Sequence, residues 1–431
     1  MSRMSSDAFR RRLVPMRGRD PGEGERASTP LELLFDLIFV VAVGTSAERF
    51  ADMAAEGHLA KGVFAFLFAM FAICVAWISF TWFASSFDTD DWLYRVLTML
   101  TMVGVVVFAL GLRPMFHSID EGRHVDTRLM VIGYVVMRIP LAAQWWRASR
   151  QSPEFRLVAL RNIRWMLVVQ AGWVVFGFVP MPLAVTVVVG VFLGACELLI
   201  PVLAQGGANG TPWHPHHIAE RYSLLAIITL GEGIVGTIGS SQGLLGGASG
   251  ESWSGDAIVV VVTGIGLTFG MWWVYFMMPF GTFLQHRPTY GYFFGYGHIV
   301  VFVAIAATGA GLHLLGLYLD GGSELTETAA TLLLTLPVAL YLVAIYALHD
   351  VLIGRFDPLH VITMIVTALL LLAAIVLALT DAPIAVSLLL TMAAPFVTIV
   401  AYEAGAHRWQ EEQLRRLAAE SSSRPLRSTH E

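Results

Sequence analysis

Charged residues are scarce in this chain. Asp, Glu, Lys and Arg make up 14% of its 431 residues, whereas 56% are apolar. A soluble globular domain carries about a quarter charged residues, so this composition excludes a large soluble protein. Cysteine is scarcer still: Cys74 and Cys196 both fall inside apolar runs, which argues against a disulfide framework. No phosphate-binding loop follows a strand and no nucleophilic triad is evident, so we expect neither enzymatic activity nor a cofactor.

Long apolar runs occupy most of the sequence. A run of about 20 residues is enough to cross about 30 Å of hydrocarbon as a helix. We count twelve such runs, at 31–48, 62–86, 93–112, 127–146, 163–180, 182–203, 217–239, 257–280, 292–318, 327–348, 359–380 and 383–404. The sequence therefore predicts an all-α polytopic integral membrane protein whose partner is the lipid bilayer, with no nucleic acid among its ligands.

Basic residues indicate the orientation of these spans. Seven arginines precede the first span, and Arg408, Arg415 and Arg416 follow the last one. Because Lys and Arg are retained on the cytoplasmic side, both termini are predicted to be cytoplasmic. A cleaved signal peptide ending near 45–47 is the alternative, but Asp36 interrupts its apolar region. The polar segments 1–28 and 405–431 are expected to be solvated or partly disordered tails.

The two halves of the chain share a pattern of residues. Asp36, Ala42, Thr45 and Glu48 in the first span recur as Glu220, Ala226, Thr229 and Glu232 in the seventh, at a constant offset of 184. Internal duplication is common among transporters, and copies with an even number of spans are parallel. We therefore predict two parallel six-helix repeats, at 29–204 and 217–404, joined by a cytoplasmic linker at 205–216.

Carboxylates inside apolar spans need an explanation, because an unpaired charge in the bilayer costs several kcal/mol. Thr29, Pro30 and Glu32 have the spacing of a helix N-terminal capping box, which predicts a structural role for Glu32. Asp36 lies one turn deeper on nearly the same face. It is expected either to titrate and bind a proton or cation, or to pair with an Arg and hold helices together.

The seventh span carries the second set of acids. Glu232 lies about 18 Å along the helix from Glu220, between Gly231 and Gly233, and is the strongest candidate for a functional acid. Arg221 is expected to act as the counter-charge of its neighbour Glu220. His217, three residues before Glu220, lies close in sequence to His214 and His216, and whether these three histidines bind metal is left open.

The loop after the second span is acidic. Asp88, Asp90 and Asp91 precede Arg95. Such a run can hold a divalent cation, but it is more typical of an acidic helix N-terminus, in which Asp91 pairs with Arg95 four residues later. We therefore predict structural or gating roles and no metal for these residues.

Several segments together resemble the bacterial low temperature requirement A (LtrA) family. They are "ELLFDLIFVVAV", "TWFASSFDTDDWLYR", "HIAERYSLLAIITLGEGIV", "WWVYF" and "GYGHIVVFVAIAATGAGL", in this order between residues 30 and about 315. The resemblance implies a polytopic protein of the bacterial plasma (inner) membrane with a link to cold adaptation. It also places ten residues on characteristic polar positions of the family: Glu32, Asp36, Asp88, Asp90, Asp91, Arg95, His217, Glu220, Arg221 and Glu232. Met277 and His313 depart from it, since acids are expected there.

These observations lead to a functional hypothesis with two alternatives. The first is a proton- or cation-coupled transporter that uses Asp36, Glu220 and Glu232 and carries a small ion or small molecule. A cation channel is the second, supported by a fainter similarity to lysosomal-type potassium channels built from six-helix repeats. The third is a non-transporting component that supports cold or envelope stress. Neither the substrate nor the oligomeric state follows from the sequence.

Overall fold

The structure is a computed structural model. It describes residues 13–23, 26–122, 124–205, 210–245, 255–355, 357–380 and 382–423. The described residues form helices and short turns and contain no strand. The α-helices are α1 (Pro30–Ala55), α2 (Leu59–Phe87), α3 (Trp92–Glu121), α4 (Arg128–Gln151), α5 (Arg156–Phe178), α6 (Leu183–Gln205), α7 (Pro215–Leu245), α8 (Gly255–Phe276), α9 (Phe280–His286), α10 (Gly291–Leu319), α11 (Glu327–Ile353), α12 (Pro358–Leu377), α13 (Ile384–Ala401) and α14 (His407–Ser423).

Each of the twelve predicted spans corresponds to one of these helices. Among the described residues, eleven helical segments are long and apolar enough to cross a membrane. The exception among the twelve is α5, which has 23 residues but carries Arg161, Arg164 and Gln170 within its apolar stretch. The all-α, multi-pass membrane class is therefore confirmed, whereas the arrangement as two repeats remains a prediction.

Local sequence signals determine where several helices begin. At the start of α1 the Thr29 side chain accepts from the backbone of Glu32, and Glu32 accepts from the backbone of Thr29, as the capping box predicts. Asp91 caps α3 and Asp357 caps α12, each through a side chain that accepts one backbone N–H of the first turn. Gly354 ends α11 at φ +70°, a left-handed conformation that glycine adopts without steric cost.

The described chain divides into two compact units, residues 1–228 and 229–431. In the first unit, α3 packs extensively on α4, and α1 packs on both α2 and α3. Glycines permit this close packing: a Cβ atom on Gly104 would lie 2.6 Å from the backbone nitrogen of Met137. The first part of α7, up to Ile228, belongs to this unit and supplies half of the site described below.

In the second unit the main helix pairs are α10 with α11, α12 with α13, and α8 with α13. Two short elements here were not predicted from the sequence. Helix α9 follows α8 within the segment expected to be a loop, and α14 forms where a solvated tail was expected. Gln410 and Gln413 of α14 are buried, and Gln410 donates to the carbonyl of Met277 over 3.2 Å.

The N-terminal segment also departs from the expected solvated tail. Residues 13–23 run across one end of the first unit and are held by long-range hydrogen bonds. Val14 N donates to Asp91 Oδ2 over 3.1 Å, Arg19 N donates to the carbonyl of Ser86 over 3.0 Å, and Met16 is fully buried. A polar composition does not reveal such backbone pairing, which depends on partners more than 60 residues away. Residues 1–12 lie outside the described part of the chain.

Candidate functional site: a buried ionic cluster

Two carboxylates lie on the inner face of α1. Glu32 and Asp36 are one helical turn apart and are 1% and 0% exposed, whereas Leu33, Leu34 and Leu37 between and beside them are exposed. A spacing of four residues places the two acids one above the other on the same face of the helix. The exposed leucines face outward, as expected for a membrane span, and the acids face the interior of the first unit.

Arg221 of α7 binds both carboxylates and is itself fully buried. Its Nη2 atom donates to Asp36 Oδ1 over 2.6 Å, and its Nε atom donates to Asp36 Oδ2 over 3.2 Å. Its Nη1 atom lies 3.0 Å from Glu32 Oε1. The planar guanidinium thus makes a two-bonded contact with Asp36 and an ion pair with Glu32, a geometry that a lysine does not reproduce.

His217 completes the cluster. It lies one turn before Arg221 on α7 and is fully buried, with Nε2 3.2 Å from Glu32 Oε1. We call Glu32, Asp36, His217 and Arg221 the buried ionic cluster. The His217 Nδ1 atom and the Tyr94 hydroxyl are buried without a hydrogen-bond partner among the described residues.

Aromatic side chains surround these charges. Trp77 of α2 is fully buried and donates its indole N–H to Asp36 Oδ1 over 2.7 Å. Its ring meets Tyr222 edge to face at 4.8 Å, and the Tyr222 hydroxyl accepts from Trp82 over 3.0 Å. These rings exclude water from the ion pairs, and the low local dielectric strengthens each electrostatic interaction within the cluster.

The cluster contains one carboxylate more than arginine. If both carboxylates are ionised, the cluster carries two negative charges and one positive charge when His217 is neutral, and two of each when His217 is protonated. A buried charge without compensation costs several kcal/mol. One proton, or one small cation in its place, therefore balances the charge of the cluster, which is the chemistry that proton- or cation-coupled processes use.

Each aspartate of the acidic loop after α2 pairs with a different arginine. Asp88 pairs with Arg26 at 3.3 Å, and Asp90 pairs with Arg95 at 2.6 Å. Asp91 pairs with Arg147, whose Nη1 donates to Asp91 Oδ1 over 3.0 Å. The expected pairing of Asp91 with Arg95 is therefore wrong, because the Asp91 side chain is turned toward α4 while it caps α3.

The pKa values of two of these acids move in opposite directions. Burial raises the pKa of Asp88 to about 6, and the negative charge of Glu32 contributes to this increase against the opposing effect of Arg26. Burial also acts to raise the pKa of Asp91, but hydrogen bonds from Arg147 and from backbone amides outweigh it, so that this pKa is lowered. Asp88 therefore titrates closer to neutral pH than an ordinary aspartate.

Neither Glu220 nor Glu232 is a member of the buried ionic cluster. Glu220 is half-buried and accepts from the backbone N–H of Ser28 over 3.1 Å. Since successive helix residues point about 100° apart, Arg221 faces α1 and its counter-charges are Glu32 and Asp36, so the expected pairing with Glu220 is wrong. Glu232 belongs to the second unit, where it is half-buried beside Gly309 of α10.

The histidines around the start of α7 include His214, whose two ring nitrogens have protein partners. His214 Nε2 lies 2.9 Å from the carbonyl of Glu23, and His214 Nδ1 accepts from the backbone of His217 over 3.2 Å. In the described part of the chain, two groups of His, Asp and Glu side chains are close enough together to hold a metal ion. Neither group includes His214, His216 or His217.

Sequence reasoning missed a further buried ion pair in the first unit. Arg138 of α4 donates to Glu197 of α6 over 2.8 Å, and both residues are 4% exposed. Trp173 of α5 also donates to Glu197, over 3.1 Å. The available signal was the same as for Asp36, namely a charged residue within an apolar run, but neither residue belongs to the pattern shared by the two halves.

Comparison with known proteins agrees with these features. The family model described as bacterial low temperature requirement A protein (LtrA) matches residues 27–395. The chain belongs to this family. The matched region includes all four residues of the buried ionic cluster, the acidic loop and Glu232. The suspected resemblance is thus confirmed, and with it a multi-pass membrane protein of a bacterial family.

A relative of this chain is described without a function. The LtrA-family chain is 26% identical over 299 residues to a protein of Rhizobium meliloti (strain 1021), which is described as the uncharacterized protein RA0937. This similarity covers 66% of the present chain and 68% of the relative. No solved structure matches the chain. Its function therefore has to be argued from its own site.

Proposed function

We propose that this LtrA-family protein is a proton- or cation-coupled transporter and that the buried ionic cluster is its coupling site. The observation that carries the proposal is the excess of one carboxylate over arginine among side chains that are 0–1% exposed. A fixed structural brace is most stable when its charges balance. An excess negative charge beside a histidine instead favours reversible uptake of a proton or a cation.

The proposal includes a second acid and a membrane orientation. Glu232 lies within a membrane-length helix next to two glycines, and we assign it a second proton- or cation-binding role within the second unit. From the distribution of arginines we infer that both termini lie in the cytoplasm, and we assign the protein to the bacterial inner membrane. The role proposed is transport, without an enzymatic step. The substrate is a small ion or small molecule.

Glu32→Gln is the most informative variant. Glutamine retains the capping box with Thr29, and the Arg221–Asp36 pair remains intact, so the fold is expected to persist. The variant removes the excess charge and the partner of His217. It therefore separates a coupling role from a structural one better than removal of Arg221 does.

The measurement is flux in liposomes that contain the purified full-length protein and a trapped pH-sensitive dye. Gradients of K⁺, of Na⁺ and of small amino compounds are imposed in turn, and proton movement is compared with that of protein-free liposomes. We expect wild-type flux above background, flux reduced by about tenfold or more in Glu32→Gln and Glu232→Gln, and wild-type flux in Asp90→Asn. Asp90 is the matched control because its ion pair with Arg95 is exposed.

Three results would contradict the proposal. Wild-type liposomes without flux for any gradient would favour a non-transporting role in cold or envelope stress. Cation flux that persists without coupled proton movement would favour a channel. Unchanged flux in a folded Glu32→Gln protein would show that the buried ionic cluster only holds α1 and α7 together.

A further inference from the structure

A group of metal-ligating side chains lies in the second unit, where α11 ends and α12 begins. His349 and Asp350 belong to the last turns of α11, and His360 belongs to the first turn of α12. Gly354 ends α11, and the Asp357 side chain accepts from Leu359 N over 3.0 Å to begin α12. The short turn between the helices thereby brings His360 against residues 349 and 350. We call His349, Asp350 and His360 the histidine cluster.

The distances within the histidine cluster suit a tetrahedral ion. Asp350 Oδ1 lies 3.1 Å from His349 Nδ1 and 3.3 Å from His360 Nε2, and the three ligand atoms all lie within 4.8 Å of one another. Zinc binds imidazole nitrogen and carboxylate oxygen at about 2.0–2.2 Å. Two ligands on a tetrahedral ion are consequently about 3.3 Å apart, which agrees with both measured separations.

Hydrogen bonding within the protein leaves part of this ligand set unused. His360 Nε2 is buried and, despite its distance of 3.3 Å from Asp350, has no hydrogen bond of acceptable geometry. The two imidazole rings are stacked with centroids 4.4 Å apart, and one nitrogen of each ring lies within 3.3 Å of the same Asp350 oxygen. Binding of one ion by both nitrogens therefore requires one ring to rotate, because an imidazole nitrogen binds a metal in the plane of its ring. A buried polar nitrogen without a partner is costly, and a bound ion would satisfy it.

The histidine cluster borders a cavity. The cavity has a volume of about 40 Å³ and is also bordered by Tyr346, Asp357, Thr363 and Trp409. A space of about 10–15 Å³ already holds one water molecule. Three protein ligands and an adjoining cavity are typical of metal sites that keep one position for water or an added ligand.

A second group of possible ligands is a weaker candidate. Glu56, His58 and Asp120 also lie close together, but the His58 side chain is 44% exposed and Lys61 already lies 3.7 Å from the Asp120 carboxylate. That lysine supplies the positive charge that a metal would otherwise bring. The histidine cluster has side chains only 12–20% exposed, and no lysine or arginine is paired with Asp350 among the described residues.

We propose that His349, Asp350 and His360 form a binding site for a divalent transition-metal ion of the zinc type. The ligand set, two imidazoles and one carboxylate, favours Zn²⁺ over Mg²⁺ or Ca²⁺, which prefer oxygen ligands. The fourth position faces the cavity. The ion would bridge α11 and α12 across the turn at residues 354–357 and so fix the end of this helix pair.

Cobalt provides a direct test, because Co²⁺ in a tetrahedral nitrogen and oxygen site absorbs visible light strongly. The full-length protein in detergent, stripped with chelator, is titrated with Co²⁺ and then with Zn²⁺. We expect one Co²⁺ per chain with visible bands that Zn²⁺ abolishes. Affinity should fall by more than about 100-fold in His360→Ala and Asp350→Asn. His117→Ala is the control, since His117 pairs with Glu121 at 3.4 Å but is 76% exposed.

The wild-type titration decides the proposal even where a variant does not fold. Absence of a one-to-one cobalt spectrum would refute it, as would an unchanged affinity in folded His360→Ala. Thermal unfolding provides the second measurement: added Zn²⁺ should raise the melting temperature of the wild type and of His117→Ala but not of His360→Ala. The titration measures no transport, so its outcome is independent of the proposed coupling role.

Discussion

The buried ionic cluster of the first unit and the histidine cluster of the second are built from similar side chains in opposite environments. In the first, carboxylates and a histidine are 0–1% exposed and Arg221 is bound between them. In the second, the side chains are 12–20% exposed, border a cavity and lack a paired arginine among the described residues. The first cluster therefore contains its own cation in Arg221, whereas the second has no such cation and lies beside a cavity.

The largest difference between the two clusters is expected on removal of a single side chain. Arg221→Ala leaves two carboxylates buried without their cation and should lower the free energy of unfolding by about 3–5 kcal/mol. His360→Ala removes a partly exposed ring without a good hydrogen bond and should cost about 1 kcal/mol in the absence of metal. Denaturant titrations in mixed micelles measure both values.

Equal losses of unfolding free energy in Arg221→Ala and His360→Ala would contradict the difference between the two clusters. They would mean that Arg221 contributes no more than an ordinary buried side chain and that the carboxylates find protons or other partners when it is absent. Arg138→Ala serves as a reference for the first unit. It removes the cation of the Arg138–Glu197 pair and leaves Glu197 buried, as Arg221→Ala leaves Glu32 and Asp36 buried.

The sequence predicted the framework of the buried ionic cluster but not its pairing. Helical length and apolarity are local properties, so the spans and the capping box at Thr29 followed from short segments. Asp36 was correctly expected to meet an arginine if it did not titrate. Its partner Arg221 lies 185 residues away, and the choice among distant arginines depends on helix packing that no local pattern encodes.

The histidine cluster and the N-terminal segment were missed for related reasons. His349 and His360 lie on different helices, and only the turn at Gly354 brings them together. Residues 13–23 have the composition of a solvated tail, but backbone N–H groups can bind any suitably placed acceptor irrespective of side chain. In both cases tertiary contacts, rather than composition, determine the structure.

The pH dependence of stability provides a test of the charge on the buried ionic cluster. The pKa of Asp88 is raised to about 6 from an ordinary value of about 3.9. The native state therefore binds a proton more tightly than the unfolded chain does. The stabilising contribution is fully present below about pH 4 and is lost as the pH rises through about 6. Between pH 4 and 7 the wild type should lose up to about 3 kcal/mol of its free energy of unfolding through this group. We expect Asp88→Asn to abolish that loss.

The control for this experiment is Glu32→Gln. Because the charge of Glu32 helps to raise the pKa of Asp88, the variant should shift the pH-dependent loss to lower pH without abolishing it. Thermal unfolding from pH 4 to 7 measures the position of the transition. An unchanged position would indicate that Glu32 is already protonated in the native protein, and the excess negative charge assigned to the cluster would then be absent.

The smallest effect on the free energy of unfolding is expected at Asp90, whose ion pair resembles that of Asp36 in geometry but is exposed. Asp90 binds Arg95 through two hydrogen bonds of 2.6 and 2.8 Å, as Asp36 binds Arg221, but both side chains are about 40% exposed. Water already solvates such a pair, so Asp90→Asn should change the free energy of unfolding by less than about 1 kcal/mol. Asparagine also tolerates the φ of +46° at this position. A loss comparable to that of Arg221→Ala would show that ion-pair geometry, rather than burial, controls the stability of the first unit.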